Sequence, residues 1–298
     1  MSEKIHSYQY LEDYRLEWWN QDFLELLAKR LNLSCVNSMA DIGIGLGHWS
    51  RLLLPFLSTP LHFVGVDMES FWLEKAQEIF SVIQKEVNFS ELHFIKDDAH
   101  NLSLTSDTFD LVTCQTLLMH CYDPKKVLGE MKRIAKPGGI ILAVEPVNLL
   151  NRLEFSSVLN VLSIEDQISL FSFWSYFHQG LRTKQKGDHN IGCYLPGLFK
   201  EIGLERITAY QNDRVCYSLS NNLTSVDEIL MEYIKPETSE MIIAGGGSDQ
   251  IIAQGLNSAK ILAEHIVAQI DSDNYYSTGF LSTFVFIGFK PGAVSKVL

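Results

Sequence analysis

From Ser38 to Pro146 short β-type runs alternate with helical patterns. That alternation restricts the chain more than any other feature, because it is the signature of βαβ units and of a parallel sheet covered on both faces. "SMADI" and "HFVGVD" read as the first two strands, "LHFIKDD" as the third, "FDLVTCQ" as the fourth and "GIILAVEP" as the fifth. Between the last two, Val127, Leu128, Met131, Ile134 and Ala135 mark one helical face. "KPGG", Lys136 to Gly139, stops that helix and turns the chain into the fifth strand. At 298 residues the chain is about the largest that one hydrophobic core usually serves, so one elaborated domain is expected over 1–298.

Outside that core of 38–146 the pattern changes. Residues 147–190 carry an aromatic-rich segment that reads as helical throughout, with a helix start at Ser163 and no strand signal. It is expected to pack on the domain or to wall a substrate pocket as a lid. Residues 191–298 return to an α/β pattern: "LPGLFKEIGL" as a short helix ended by Gly203, "ERITAYQNDRVCYSLS" as one strand, and "STGFLSTFVFIGFKPG" as the final strand. A helical insertion at about 224–270 separates the two strands. Its glycine turn, Gly245 to Gly247, reads as a loop or as a lid hinge. Residues 1–37 form an aromatic, helical N-terminal segment.

Composition removes several function classes. A formal net charge of −12, with no basic tract to offset it locally, repels phosphate backbones, so nucleic acid is not an expected partner. The charged start and the lack of a run of about 18 apolar residues point to a soluble, cytoplasmic chain with no membrane segment. Five scattered cysteines at no zinc spacing read as reduced thiols, and no metal is expected.

"ADIGIGLGHWS" puts glycines at 43, 45 and 47 directly after the first strand. Without Cβ atoms there, a ligand can lie against the backbone and the amides of the following helix. A phosphate-cradling loop needs Gly-Lys-Ser/Thr, whereas His48 and Trp49 follow Gly47. A dinucleotide loop is spaced G-x-G-x-x-G, and here the third glycine comes one residue early. Asp67 ends the second strand, where a carboxylate can accept both hydroxyls of a ribose. An adenosine ligand satisfies all of this, and a nicotinamide dinucleotide remains an alternative.

The stretch Asp41-Ile42-Gly43-Ile44-Gly45-Leu46-Gly47 resembles the D/E-x-G-x-G-x-G loop of class I S-adenosylmethionine-dependent methyltransferases. The resemblance extends to Asp67, to Asp98-Ala99 preceded by Asp97, and to "FDLVTCQTLLMHCYDPKKVLGEMKRIAKPGG", and is closest to the ubiquinone-type and small-molecule methyltransferases. It implies a Rossmann-like doubly wound α/β sheet, mostly parallel with an antiparallel last strand, and helical insertions forming a lid. S-Adenosylmethionine is the cofactor it implies. Asp67 would then accept the ribose hydroxyls beside Met68, and Asp98 the adenine amino group while the Ala99 amide donates, with Asp97 as the alternative register. Gln115 would line the methionine part, Asp41 would order the loop, and Arg15 would reach the methionine carboxylate or else lie on a helix surface. Tyr8, Tyr10 and Tyr14 would close the site against water.

At the reacting centre the methyl group arrives already activated, so alignment and proton management are what the protein must supply. His120 is the candidate general base, against a purely packing role. Glu145 would bind an amine or hydroxyl acceptor, or cap a turn. His178, His189 and Asn190 flank the aromatic insertion and either enter the pocket or lie on the surface. The leading expectation is methylation of an oxygen or nitrogen of a small organic acceptor by a monomer or homodimer. The alternatives are a non-catalytic adenosyl-ligand-binding subunit and an NAD-dependent oxidoreductase.

Overall fold

The computed structural model describes residues 13–152, 155–219, 224–280 and 282–292. Strands β1 (Ser38–Ile42), β2 (Leu61–Asp67), β3 (Phe89–Lys96), β4 (Phe109–Gln115) and β5 (Ala135–Pro146) form the parallel part of a sheet. Strands β6 (Glu205–Gln211) and β9 (Thr283–Phe289) complete it, giving the order β3-β2-β1-β4-β5-β9-β6. β9 runs antiparallel to both of its neighbours.

Each inner strand is buried on both faces because successive side chains point to opposite sides. Met39, Phe63, Leu111 and Leu142 pack on one side, against α1 (Gln21–Leu31), α2 (His48–Leu53) and α3 (Ser70–Ile83). Ala40, Val64, Val112 and Ile141 pack on the other, against α4 (Pro124–Ile134) and α6 (Leu195–Glu201). The helical face read from sequence, Val127, Leu128, Met131, Ile134 and Ala135, is wholly buried. Asp123 caps α4, accepting the Lys126 N–H at 3.0 Å.

Two expected strands are each broken in two. The run after α6 leaves the sheet at Gln211 and resumes as β7 (Val215–Ser218), and the final run divides into β8 (Ser277–Phe280) and β9. β7 and β8 pair with each other as a separate antiparallel ribbon. A buried polar residue lies at the first break. Asn212 is buried and its side chain serves the N-terminal segment, donating to the Trp18 carbonyl and accepting from the Asn20 N–H at 3.3 Å. Ser156 bridges Ser277, and Thr278 N–H donates to Phe155 O at 2.8 Å, so the ribbon is also fastened to the aromatic insertion.

The insertion is less uniformly helical than its composition suggests. Short 3-10 turns at Asn148–Arg152 and Ser157–Asn160 precede α5 (Ile164–Thr183), which starts at the expected cap, Ser163 accepting the Asp166 N–H at 3.0 Å. The second insertion supplies α7 (Val226–Leu230), α8 (Pro236–Ala244) and α9 (Asp249–Asp271). α5, α8 and α9 pack around Phe173, Trp174, Leu170, Ile242 and Ala259, a small core of their own. A Cβ on Gly180 would lie 1.8 Å from Met241 O, and one on Gly245 2.0 Å from Tyr176 O. The turn after α8 is therefore closely packed at Gly245, which fits the loop reading of its glycines and not the hinge. Among the described residues no helix is long and apolar enough to cross a membrane.

Candidate active site

The glycine loop closes over the end of β2. Gly43 and Ile44 donate to Val66 O at 2.8 and 2.9 Å, and Gly45 N–H donates to an Asp67 carboxylate oxygen at 2.9 Å. All three glycines have positive φ, at 71°, 53° and 74°. Gly43 and Gly47 also lack room for a side chain: a Cβ would fall 2.8 Å from Leu117 Cδ1 and 2.6 Å from Phe80 Cε2 respectively. At Gly45, by contrast, a Cβ would meet nothing within 4 Å. The loop thus presents open backbone at its middle glycine, directly beside Asp67.

Asp41 is buried beneath the loop and accepts from the Ser50 hydroxyl. Burial, with a smaller contribution from the Asp67 charge, pushes its pKa up to about 7, while the Ser50 hydrogen bond opposes the shift. Burial also raises Asp67, against the N–H groups of Glu69, Gly45 and Met68. Behind the loop, Trp49 donates to Thr113 Oγ1 at 2.7 Å, and Thr113 donates on to Leu142 O at 2.8 Å. That buried chain ties α2 to β4 and β5. It rests on partners distant in sequence, which no local motif signals.

The third strand leads into a loop that separates the two adjacent carboxylates by role. Asp97 accepts from the Ser103 N–H and hydroxyl at 2.6 and 2.8 Å, which commits it to shaping the loop. Asp98 is exposed, accepts from the His100 N–H and ring Nδ1, and is held below the usual carboxylate range by those bonds. The His100 ring stacks on Tyr122, with centroids 4.0 Å apart. Ala99 is half-buried and Met68 is 61% exposed. The His100–Tyr122 pair escaped the sequence reading, since 22 residues separate its members.

At the end of β4, Gln115 is half-buried and its amide nitrogen is buried without a hydrogen-bond partner. The next turn, Leu118–His120, is held by Glu145, which sequence reasoning offered as an acceptor ligand or as a turn cap. Its surroundings fit the second role. Glu145 is fully buried and accepts the N–H groups of Leu117, Leu118 and Met119 at 2.8, 2.7 and 3.3 Å. It caps the turn from within the protein. Burial outweighs those three bonds and pushes its pKa up to about 8. His120, at the end of the same turn, is exposed. Its ring lies 5.6 Å from that of His189, edge to face.

Arg15 sits in a 3-10 turn, Asp13–Trp18, with its guanidinium 5.0 Å from the Trp18 ring. The segment packs on the loop side of the sheet, where Trp19 meets Trp49 at 4.9 Å. Tyr8 and Tyr10 lie outside the described residues, as does the side chain of Tyr14. No group of three or more His, Cys, Asp or Glu residues suited to a metal ion occurs among the described residues.

A seven-stranded sheet with this order and an antiparallel β9, a glycine loop at β1 and a carboxylate at the end of β2 define the class I S-adenosylmethionine-dependent methyltransferase fold. Residues 37–184 match the methyltransferase-domain family, and through that stretch the chain belongs to it. The uncharacterized methyltransferase YcgJ of Bacillus subtilis is 28% identical over 160 residues, which are 50% of this chain and 60% of that protein. A demethylmenaquinone methyltransferase of Oceanobacillus iheyensis is 27% identical over 127 residues, 43% of this chain and 50% of its own. The chain therefore spans about half to three-fifths of the length of these curated relatives. Among solved structures, phosphoethanolamine N-methyltransferase 2 of Haemonchus contortus, in complex with phosphomonomethylethanolamine and S-adenosylhomocysteine, aligns with a TM-score of 0.50 at 19% identity. The alignment covers 97% of this chain and 59% of that one. That likeness is one of fold.

Proposed function

We propose that this protein transfers the methyl group of S-adenosylmethionine to an oxygen or nitrogen of a small organic acceptor, as a cytoplasmic enzyme. The observation that carries the reading is the open backbone at Gly45 held against the Asp67 carboxylate. Two features fit the cofactor: that cradle, which a side chain would fill, and the buried, unpartnered amide nitrogen of Gln115 on the neighbouring strand end. When bound, the cofactor supplies a methyl group already activated on a sulfonium, so no covalent nucleophile is required.

Asp67 binds the ribose hydroxyls, Met68 covers the base, and Asp98 with the Ala99 amide reads the adenine edge. Gln115 and Arg15 serve the methionine end, while Asp41 orders the loop from below. His120 takes the acceptor's proton, a contribution of about 10²–10⁴ in rate. Its turn is fixed by the three hydrogen bonds to Glu145. The net charge of −12 favours small or basic acceptors over polyanions. The four described cysteine side chains are free, as a reducing compartment requires.

Calorimetric titration with S-adenosylmethionine, S-adenosylhomocysteine and NADH tests the reading. The two sulfur ligands should bind and NADH should not, and Asp67→Ala should weaken both by at least about tenfold, the equivalent of roughly 1.4 kcal/mol. Binding of NADH alone overturns it. Tight cofactor binding with no S-adenosylhomocysteine release across a panel of hydroxyl and amine acceptors would leave a binding subunit and not an enzyme.

A further inference from the structure

His178 lies on α5, inside the insertion, and is 3% exposed. Neither ring nitrogen has a hydrogen-bond partner among the described residues. Leaving a buried polar group unpaired forfeits its hydration without return, so native interiors rarely keep one without a use. This ring has two such atoms.

Its position connects it to the reacting rim. The His178 ring is 6.0 Å from the His189 ring, which is 5.6 Å from that of His120. The segment carrying His189 lies directly on the His120 turn: a Cβ on Gly187 would fall 2.1 Å from Met119 O and 3.0 Å from His120 Cα. Asn148, just past β5, donates to His189 O at 3.0 Å, and Leu149 N–H donates to Asn190 Oδ1 at 2.8 Å. Leu117, at the other end of that turn, touches the glycine loop at Gly43. A row of imidazoles therefore runs from the rim beside the glycine loop to the buried face of α5.

We infer that His178 is a specificity-determining residue, binding a neutral hydroxyl group of the acceptor at the inner end of this row; the inference rests on the methyl-transfer reading above. The chemical class follows from what the ring can offer. Burial, and the positive fields of His189, Arg152 and Arg182, hold the His178 pKa down to about 3, so the ring is neutral, with one N–H donor and one lone pair. A hydroxyl complements both, whereas a carboxylate uses only the donor and an ammonium only the lone pair. The two nearby arginines do not turn the place into an anion site. Arg152 is paired with Glu232 at 2.9 Å and lies 3.8 Å over Trp174, and Arg182 faces Asp188 at 3.4 Å. Phe177 and Trp174 supply the apolar surroundings.

The test uses the full chain loaded with S-adenosylhomocysteine and three one-ring probes, phenol, benzoate and benzylammonium. Histidine ring nitrogens are followed by ¹⁵N NMR, with His178 assigned through His178→Phe, which keeps an aromatic ring. Phenol should move the His178 resonances and bind about tenfold tighter than either charged probe, and His178→Phe should lose that margin while holding S-adenosylhomocysteine as tightly as wild type. Preference for benzoate or benzylammonium, a phenol affinity unchanged in His178→Phe, or no response of the ring to any probe overturns the inference. Failure of S-adenosylhomocysteine itself to bind overturns the methyl-transfer reading, a result distinct from all of these. If His178→Phe does not fold, the order of the three probe affinities for the wild-type protein still decides.

Discussion

Glu145→Gln separates two forces that oppose each other inside this protein. The wild-type carboxyl receives three N–H groups, which favour the anion, yet it is fully buried, which favours the acid, and the balance sets its pKa at about 8. An unfolded glutamate titrates near 4.3. Between the two values the folded protein keeps a proton that the unfolded chain has released, so stability is greatest at low pH and falls as pH rises through about 8. The slope is about 1.4 kcal/mol per pH unit, or about 5 kcal/mol across the window. Glutamine mimics the protonated acid. Its oxygen can keep the Leu117 and Leu118 N–H groups, and only the longer Met119 contact is lost. Urea unfolding of both proteins from pH 5 to 9 should show stabilities within about 1 kcal/mol at pH 5, diverging in favour of the variant as pH rises. Asp41, raised to about 7 by burial, adds a slope of the same sign that is common to both proteins and cancels in the difference. A difference that stays flat with pH would show the carboxylate ionised throughout, with the turn's N–H groups outweighing desolvation. Glu145→Ala is the control: it strands the Leu118 and Met119 N–H groups at every pH, at about 1–3 kcal/mol each.

Gly43→Ala must place a side chain at φ 71° and 2.8 Å from Leu117 Cδ1; it should destabilise by about 1–3 kcal/mol and weaken S-adenosylhomocysteine binding, read by thermal melts with and without ligand. Thr113→Val removes the hydroxyl that accepts from Trp49 and donates to Leu142 O; the buried Trp49 N–H left unpaired should cost about 1–3 kcal/mol in urea unfolding. His120→Ala should lower turnover by about 10²–10⁴ with S-adenosylhomocysteine affinity unchanged, and a variant with wild-type turnover would leave His120 a packing residue only.

The parallel core was legible because its causes are local. Each strand from β1 to β5 is an apolar run bounded by turn residues, and the buried face of α4 follows a helical period. The glycine loop and Asp67 were legible for the same reason, since backbone geometry fixes the spacing of a loop between one strand and the next. What escaped depends on distant partners. Nothing in "VEP" says that Glu145 faces inward to three amides 26–28 residues away. Nothing in "QNDRV" says that Asn212 is buried and bonded to the Trp18 carbonyl at the point where one expected strand divides in two. Asp97 and Asp98 are adjacent, and nothing local says that one is bonded to Ser103 and the other to His100. Gly245 reads locally as freedom, although the nearby Tyr176 carbonyl makes it a constraint.

The glycine contacts of α5 carry a consequence for changing what this protein accepts. With Gly180 and Gly245 each leaving no space for even a methyl group, and Gly255 seated 2.2 Å in the same sense from Phe173, the helix cannot slide or rotate without breaking three contacts at once. With the acceptor bound as proposed for His178, selection for new acceptors would be confined to one flank of the helix. Side chains around His178 and in the 187–190 segment can be exchanged against a fixed backbone frame, whereas variation on the glycine flank would be spent on lost stability.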